Sequence, residues 1–383
     1  MKRRLVILTE IISPYRIPLF NALASNPDVD LHVIFLAETD PGLRQWRVYK
    51  EEIRFSHQVL GSWRKRLGRY NALLNRGVSG ALMSANPDVI LCGGYNYVAS
   101  WQSLLWARNH DIPVLLWSES NVQDQRSGHA LVEFLKSEFI ARCKGFVVPG
   151  RSAQEYLRVK KVDPEKIFTA PNAVDNNLFA SHAAIARTNE VVRRRELNLP
   201  DRYFLFVGRV VLEKGVFDLL SAYSGLNASI LGQVGLVYVG DGESKRELEQ
   251  RSLATSPGVI KFPGFAQREE LASYYALAEA LVLPTHTDPW GLVVNEAMAC
   301  GLPVILSSAA GCASDLLREG ETGLLIPPRD VDALTSAMAR IADQAELRES
   351  MGNNARQVIM NYSPEAWSTA IARAVTATVS AHA

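Results

Sequence analysis

The stretch "YFLFVGRVVLEKGVFDLLSAY", Tyr203 to Tyr223, decides the class of fold. It opens on a short, wholly apolar run of strand length and closes on a helical segment, Val216 to Tyr223. Between them lies a turn that holds Arg209 at the strand end and Lys214 five positions on, beside Gly215. Two cations at a strand-to-helix junction suit a diphosphate: arginine grips phosphate oxygens in a fork, lysine supplies a point charge, and the helix entry adds amides. A solvated turn with two surface cations has the same residues, so the pattern alone leaves both readings open.

The same strand-then-helix unit recurs in both directions. Toward the amino terminus the apolar runs are "RLVILTE", "LHVIFL", "DVILCGG", "PVLLWSE", "GFVVPG" and "KIFTAPN", spaced by segments long enough for helices. Toward the carboxyl terminus they are "GLVYVGDG", "VIKFPGF", "ALVLPTH", "PVILSS" and "TGLLIPP". Such alternation predicts parallel sheets covered by helices. A polar, Arg-rich connector around residues 180–200 separates the two series. The expected architecture is therefore α/β, with two doubly wound domains: residues 1–180, residues 181–362, and an amphipathic terminal helix over 363–383 that returns to the first domain.

Composition limits the function classes. The 383 residues exceed the roughly 250–300 at which one core stops growing, so two domains are expected. With 41 basic and 40 acidic residues, a formal charge of +1 offers no global attraction to nucleic acid, and none is expected as a partner. Cys92, Cys143, Cys300 and Cys312 form no CxxC pair, which fits a reduced cytosol and buried small side chains. No apolar run approaches the roughly 18 residues of a membrane span, so any membrane contact is expected to be peripheral, on the inner face. The GxG at Gly240 and Gly242 lacks the third glycine of a dinucleotide fingerprint, Lys245 standing there instead.

A second polar constellation lies in "HTDPWGLVVNEAMACG", His286 to Gly301, where Asp288 and Glu296 stand eight positions apart. Gly291 permits close backbone approach, and a helix beginning near Val293 presents amides at Gly291, Leu292 and Val293. A carboxylate at Glu296 can accept paired hydrogen bonds from the vicinal hydroxyls of a ribose, and Asp288 can do so for a second sugar ring. The bland alternative is a turn acid and a first-turn acid suited to the helix dipole. At "FPGF", Gly264 and Phe265 could offer backbone groups to a base edge, or simply form a turn. Cations for phosphates and carboxylates for hydroxyls together describe a nucleotide sugar.

In that order, "FVGRVVLEKGVFDLL", "VGDG", "FPGF", "DPWGLVVNEAMACGLPVILS" and "GETGLLIPPRD" resemble the carboxyl-terminal half of the retaining glycosyltransferases of family 4. The resemblance implies a GT-B fold, two Rossmann-like domains facing a central cleft. It implies a donor UDP-sugar or GDP-sugar bound by the second domain. Arg209 and Lys214 match the family's diphosphate-binding cations, Glu296 the second acid of its E-x7-E motif, and Asp288 the first, shortened by a methylene as in members that read through "DPWG". Retention at the anomeric carbon, independence of any metal or other cofactor, and a glycan or lipid-linked acceptor in cell-surface polysaccharide or lipopolysaccharide synthesis follow by the same resemblance. Asp28 with Asp30 and Asp330 with Asp332 are read as strand-edge and helix-opening residues, not as a metal site.

The first half is less explicit. "SPYRIPLFNAL" resembles the start of many bacterial members, without the usual glycine-rich loop. Glu119, after "PVLLWS", occupies the place where the family commonly carries a histidine near the reacting carbon. It is a candidate for acid-base or acceptor-orienting work, with His129 a second candidate, and a surface carboxylate is the plainer reading. "WRKRLGRY", Trp63 to Tyr70, interleaves Arg64, Lys65, Arg66 and Arg69 with aromatics. This pattern suits a lipid-linked phosphate or an anionic lipid headgroup, or an ordinary solvated basic face. Two rival functions stay open: a binding subunit that holds the nucleotide without turnover, and a nucleotide-sugar 2-epimerase of the same architecture.

Overall fold

The computed structural model describes residues 2–40, 45–67, 70–121, 130–255 and 258–382. The chain divides into two compact units, Met1–Val174 with Pro364–Ala383, and Asp175–Ser363.

In the first unit, β1 (Arg3–Thr9), α1 (Ile17–Ala24), β2 (Val29–Phe35) and β3 (Ser56–Val59) are followed by a separate antiparallel pair, β4 (Ser62–Leu67) and β5 (Tyr70–Asn75). Then come α2 (Val78–Ala85), β6 (Val89–Cys92), α3 (Val98–Asn109), β7 (Val114–Trp117), α4 (Ala130–Arg142), β8 (Gly145–Val148), α5 (Arg151–Val159) and β9 (Ile167–Thr169). The main sheet has seven strands, all parallel, in the order β3-β2-β1-β6-β7-β8-β9. Alternate residues of β1 enter two different cores: Val6 and Leu8 pack on one face of the sheet, Leu5 and Ile7 on the other. A strand buried on both faces has no polar position to alternate with, which is why these runs read as unbroken apolar stretches.

The second unit runs α6 (Asn176–Thr188), α7 (Glu190–Glu196), β10 (Tyr203–Val207), α8 (Val216–Ser224), α9 (Ala228–Leu231), β11 (Gly235–Val239), α10 (Lys245–Thr255) and β12 (Ile260–Gly264). It continues through α11 (Arg268–Ala276), β13 (Ala280–Leu283), α12 (Leu292–Ala299), β14 (Val304–Ser307), α13 (Ala313–Leu316), β15 (Gly323–Ile326), α14 (Val331–Asp343) and α15 (Ala345–Ile359). Its six parallel strands lie in the order β12-β11-β10-β13-β14-β15. The order reverses between β10 and β13, so the loops leaving these neighbours diverge and open a crevice at their carboxyl ends. Both sheets have the parallel, helix-covered design expected from the sequence.

The last helix, α16 (Pro364–His382), belongs to the first unit. Its Trp367 is fully buried, 5.8 Å from the Phe20 ring of α1 and 5.3 Å from the Trp117 ring at the end of β7. Ile371, Ala374 and Val375 extend the same apolar stripe into that core. The paired Asp residues have local uses: Asp30 binds Arg4 at 2.7 Å, and Asp330 caps α14 through the Ala333 amide at 2.9 Å.

Replacing a fully buried tryptophan by alanine leaves a cavity worth about 3–5 kcal/mol. Trp367→Ala should lose that much unfolding free energy in urea titration. A loss under about 1 kcal/mol, the scale of an exposed site, would show that α16 is not an integral part of the first unit's core.

Candidate functional site

The crevice between the β10 and β13 exits brings together residues 68 to 74 positions apart in sequence, Lys214 and Asp288 among them. After β10 the chain turns at Gly208, whose amide donates to the Val239 carbonyl at 3.0 Å, and passes Arg209, which is exposed. Arg209 pairs with no carboxylate among the described residues. A short 3-10 turn, Leu212–Lys214, then leads to Gly215. Gly215 has φ +68°, and a Cβ there would stand 2.1 Å from the Pro284 carbonyl oxygen. Only glycine lets this turn press against the exit of β13.

Three further contacts clamp the turn in place. The His286 amide and the Thr285 hydroxyl both donate to the Glu213 carbonyl, at 2.8 and 3.0 Å, and His286 Nε2 meets Asp218 Oδ2 of α8 at 2.6 Å. The clamp sets Lys214 Nζ on Asp288 Oδ2 in an ion pair whose side chains are mostly covered. Asp288 Oδ1 accepts from the Trp290 amide at 3.2 Å, and its carbonyl accepts from Gly311 at 2.9 Å, so the carboxylate's position is held from both ends.

Gly291, at φ +96°, starts α12 in the left-handed region. Leu292 and Val293 follow, both half-buried, and the first intrahelical bond runs from the Val294 amide to the Gly291 carbonyl at 2.9 Å. The entry turn therefore points its leading amides out of the helix, toward where an anion can be held. One turn further, Glu296 accepts a 2.7 Å hydrogen bond from the Tyr275 hydroxyl of α11. Burial pushes the Glu296 carboxyl up to about 7, and the Tyr275 hydrogen bond works against that rise. Its protonation thus changes in the physiological range, unlike that of an ordinary surface glutamate.

The neighbouring strand exits are tied to this crevice. The Gly240 amide donates to the Gly264 carbonyl at 2.7 Å, and the Val210 amide to the Asp241 carbonyl at 2.9 Å. Gly264 sits at φ +90° and Phe265 beyond it is exposed. Arg209, Lys214, Asp288, Gly291, Leu292, Val293, Glu296, Gly264 and Phe265 thus all lie on strand exits or helix entries of one unit. Tyr275 and the His286–Asp218 clamp went unread in the sequence; nothing in "REELASYYALAEA" marks one tyrosine over its neighbour. Lys245 also enters here, the Nζ lying 3.7 Å from where a Gly264 Cβ would be.

In the first unit, Glu119 lies two residues past β7, with Arg16 Nη2 at 3.5 Å. Arg16 Nη1 also donates to Thr9 Oγ1 at 2.7 Å, and its guanidinium lies 4.5 Å over the Trp117 ring. The lone cation of "SPYRIPLF" was the available signal for this cluster. The basic run requires a correction: Arg64 is no surface contact. It is turned inward, paired with Asp40 and, at 3.3 Å, with Glu10. The reason is strand alternation, which sends Arg64 to the opposite face from Lys65. Lys65 is exposed. His129, Arg69 and the side chain of Arg66 lie outside the described residues. Among the described residues no group of three or more His, Cys, Asp or Glu could hold a metal ion.

Residues 188–358 match the family described as Glycosyl transferases group 1, and residues 19–178 match Glycosyltransferase Family 4. The chain is 29% identical over 215 residues to a D-inositol 3-phosphate glycosyltransferase of Thermomonospora curvata, covering 53% of this chain and 49% of that one. It is 32% identical over 274 residues to an alpha-D-kanosaminyltransferase of Streptomyces kanamyceticus, covering 70% and 64%. It thus spans about half the length of the first relative and just under two thirds of the second. Among solved structures, Anabaena Alr3699/HepE in complex with UDP superposes with a TM-score of 0.76 at 17% identity, over 98% of this chain and 100% of that one. At that identity the likeness establishes the fold, two Rossmann-like domains of the GT-B class.

The raised Glu296 carboxyl makes a stability prediction with a definite sign. The folded protein keeps this proton up to about pH 7, whereas the unfolded chain releases it near the ordinary 4.5. Between those values the folded state binds more protons, so this group's contribution falls as pH rises and then levels off. In urea titrations of the ligand-free protein, Glu296→Gln should gain stability relative to wild type across that window. A difference that stays flat from pH 4.5 to 8 would show an unperturbed carboxyl.

Proposed function

The chain belongs to the glycosyl transferases group 1 and family 4 grouping, and from that premise we propose that it transfers a sugar from a nucleoside diphosphate sugar to an acceptor hydroxyl. The observation that carries the reading is the Lys214–Asp288 ion pair at the strand-order reversal, flanked by the α12 entry and Glu296. A group that binds phosphate and a group that binds a sugar hydroxyl must be neighbours if the bond between phosphate and sugar is to lie between them. Here they touch.

On this reading Arg209 and Lys214 take the diphosphate, Glu296 the ribose hydroxyls and Asp288 the donor sugar, while the Gly264–Phe265 backbone borders the base. Breaking the anomeric bond builds negative charge on the departing diphosphate, and the cations that donor binding has set on it stabilise that charge. Lys214 leaves its contact with Asp288 for the phosphate, which frees the Asp288 carboxylate to accept from the sugar. With two protein cations on the leaving group, the reaction needs no added metal. UDP is the favoured donor nucleotide, supported by the UDP in the HepE structure, with GDP the alternative. Attack and departure on one face, with retention, is the reaction course, and Glu119 beside Arg16 is the group offered to the acceptor.

The Arg209→Ala and Lys214→Ala variants should each lose about 2.7–4 kcal/mol of barrier stabilisation, roughly a hundredfold to a thousandfold in turnover. Wild-type turnover in either would remove the diphosphate assignment. NMR of the product's anomeric proton checks the stereochemistry, an inverted linkage ruling out the same-face course. Because a carboxylate accepts from hydroxyls and a carboxylic acid competes with them, nucleotide affinity should rise through pH 7. Tyr275→Phe removes the bond that favours the ionised form, so calorimetry should place its midpoint at higher pH than wild type.

A further inference from the structure

We propose that the outer face of the β4–β5 hairpin docks the first unit on an anionic lipid bilayer. This goes beyond the reaction and does not depend on it, since the docking needs neither donor nor acceptor.

The antiparallel register sorts the hairpin into two faces, because directly opposed residues share a side. Arg64 faces Leu73, and both turn inward: Leu73 is buried, and Arg64 is tied to Asp40 and Glu10. Asn75 Nδ2 adds a 2.5 Å bond to the Leu36 carbonyl. The hairpin is thereby fastened to the exits of β1 and β2. Trp63 faces Leu74, and this pair looks outward at 57% and 45% exposure, with Lys65 beside it opposite Ala72. A tryptophan and a leucine packed together in water, on an element otherwise well anchored, form a surface that lacks its partner.

Charge says what that partner is. Residues 62–76 carry five basic residues and no acidic one, in a chain whose total is nearly neutral. Arg64 is consumed internally, while Lys65 and Arg76, both exposed, are the hairpin's described positive positions at the surface. Glu10 and Asp40, the acids that meet the hairpin through Arg64, are held in those ion pairs. Tryptophan at a headgroup boundary beside lysine and arginine is the composition of an anionic membrane interface. A second copy of the chain fits poorly, because a self-complementary contact would oppose these basic residues to themselves. A nucleic acid would want stacking platforms along a groove; the companions here are aliphatic, Leu74 and the exposed Val59 at the end of β3.

Sedimentation with vesicles of phosphatidylcholine, alone or mixed with phosphatidylglycerol, tests the proposal. The protein should bind the mixed vesicles and not the neutral ones, and release as salt rises. Lys65→Glu should weaken partitioning by about tenfold or more, and so should the Trp63→Ala/Leu74→Ser double variant, both with unchanged melting temperature because these side chains lie outside the core. Equal partitioning of wild type and both variants, or no binding to the mixed vesicles, overturns it. So would tight, salt-sensitive binding of a single-stranded oligonucleotide lost in the same variants, or a wild-type dimer in light scattering that the double variant dissolves.

Discussion

An ion pair between Lys214 and Asp288 sits where the second unit's strand order reverses, and the rest of that unit is arranged to hold it there. Taking two opposite charges largely out of water gains little net stability, since their attraction roughly repays the lost hydration. Such a pair is better understood as a fixed position for two charges than as a source of folding energy. Gly215 against Pro284, the Glu213 carbonyl receiving two donors, and His286 on Asp218 all serve that placement. Neither Lys214 nor Asp288 is free to wander, so a ligand that replaces one partner of the pair finds both charges already in position.

The surrounding dipoles favour the same kind of ligand. Gly291 begins α12 with outward-facing amides, and Glu296 stands a turn away with its carboxyl near neutrality. Anion-attracting and hydroxyl-accepting groups in one crevice suit the two ends of a sugar nucleotide, so the geometry is compatible with the proposed reaction. In the first unit the corresponding strand exits carry a different chemistry. Arg16 joins Thr9, Trp117 and Glu119, and Arg64 joins Glu10 and Asp40. There the charges are paired among themselves, and what faces outward is the apolar and basic side of a hairpin.

Much of the candidate crevice was legible because its residues fall in short local patterns. "GRVVLEKG" places both cations on one strand-to-helix turn, and "DPWGLVVNE" places both acids around one helix entry, whatever the rest of the chain does. The partners of those residues were not legible. Tyr275 and Asp218 come from other helices, and their pairing with Glu296 and His286 depends on helix packing that no local spacing encodes. Arg64 shows the opposite failure. Read as one of a run of like charges it belongs on the surface, but strand alternation turns it away from the side of Trp63 and Lys65 and toward Asp40.

Apolar runs of strand length, interleaved with helical segments, were enough to determine two parallel α/β domains, because a strand covered on both faces admits almost no polar residue and a parallel neighbour requires a crossover. They also determined which loops would carry charge. The tertiary fold alone decided which loops meet: β10 and β13 are neighbours although three strand-helix units apart in the chain order, so Lys214 reaches Asp288 only once the sheet is assembled. It alone decided the protonation of Glu296, because the burial that raises that carboxyl is supplied by residues distant in sequence. The outward face of the hairpin likewise came from register, since pairing and not composition selects which side chains of Trp63, Arg64 and Lys65 meet solvent.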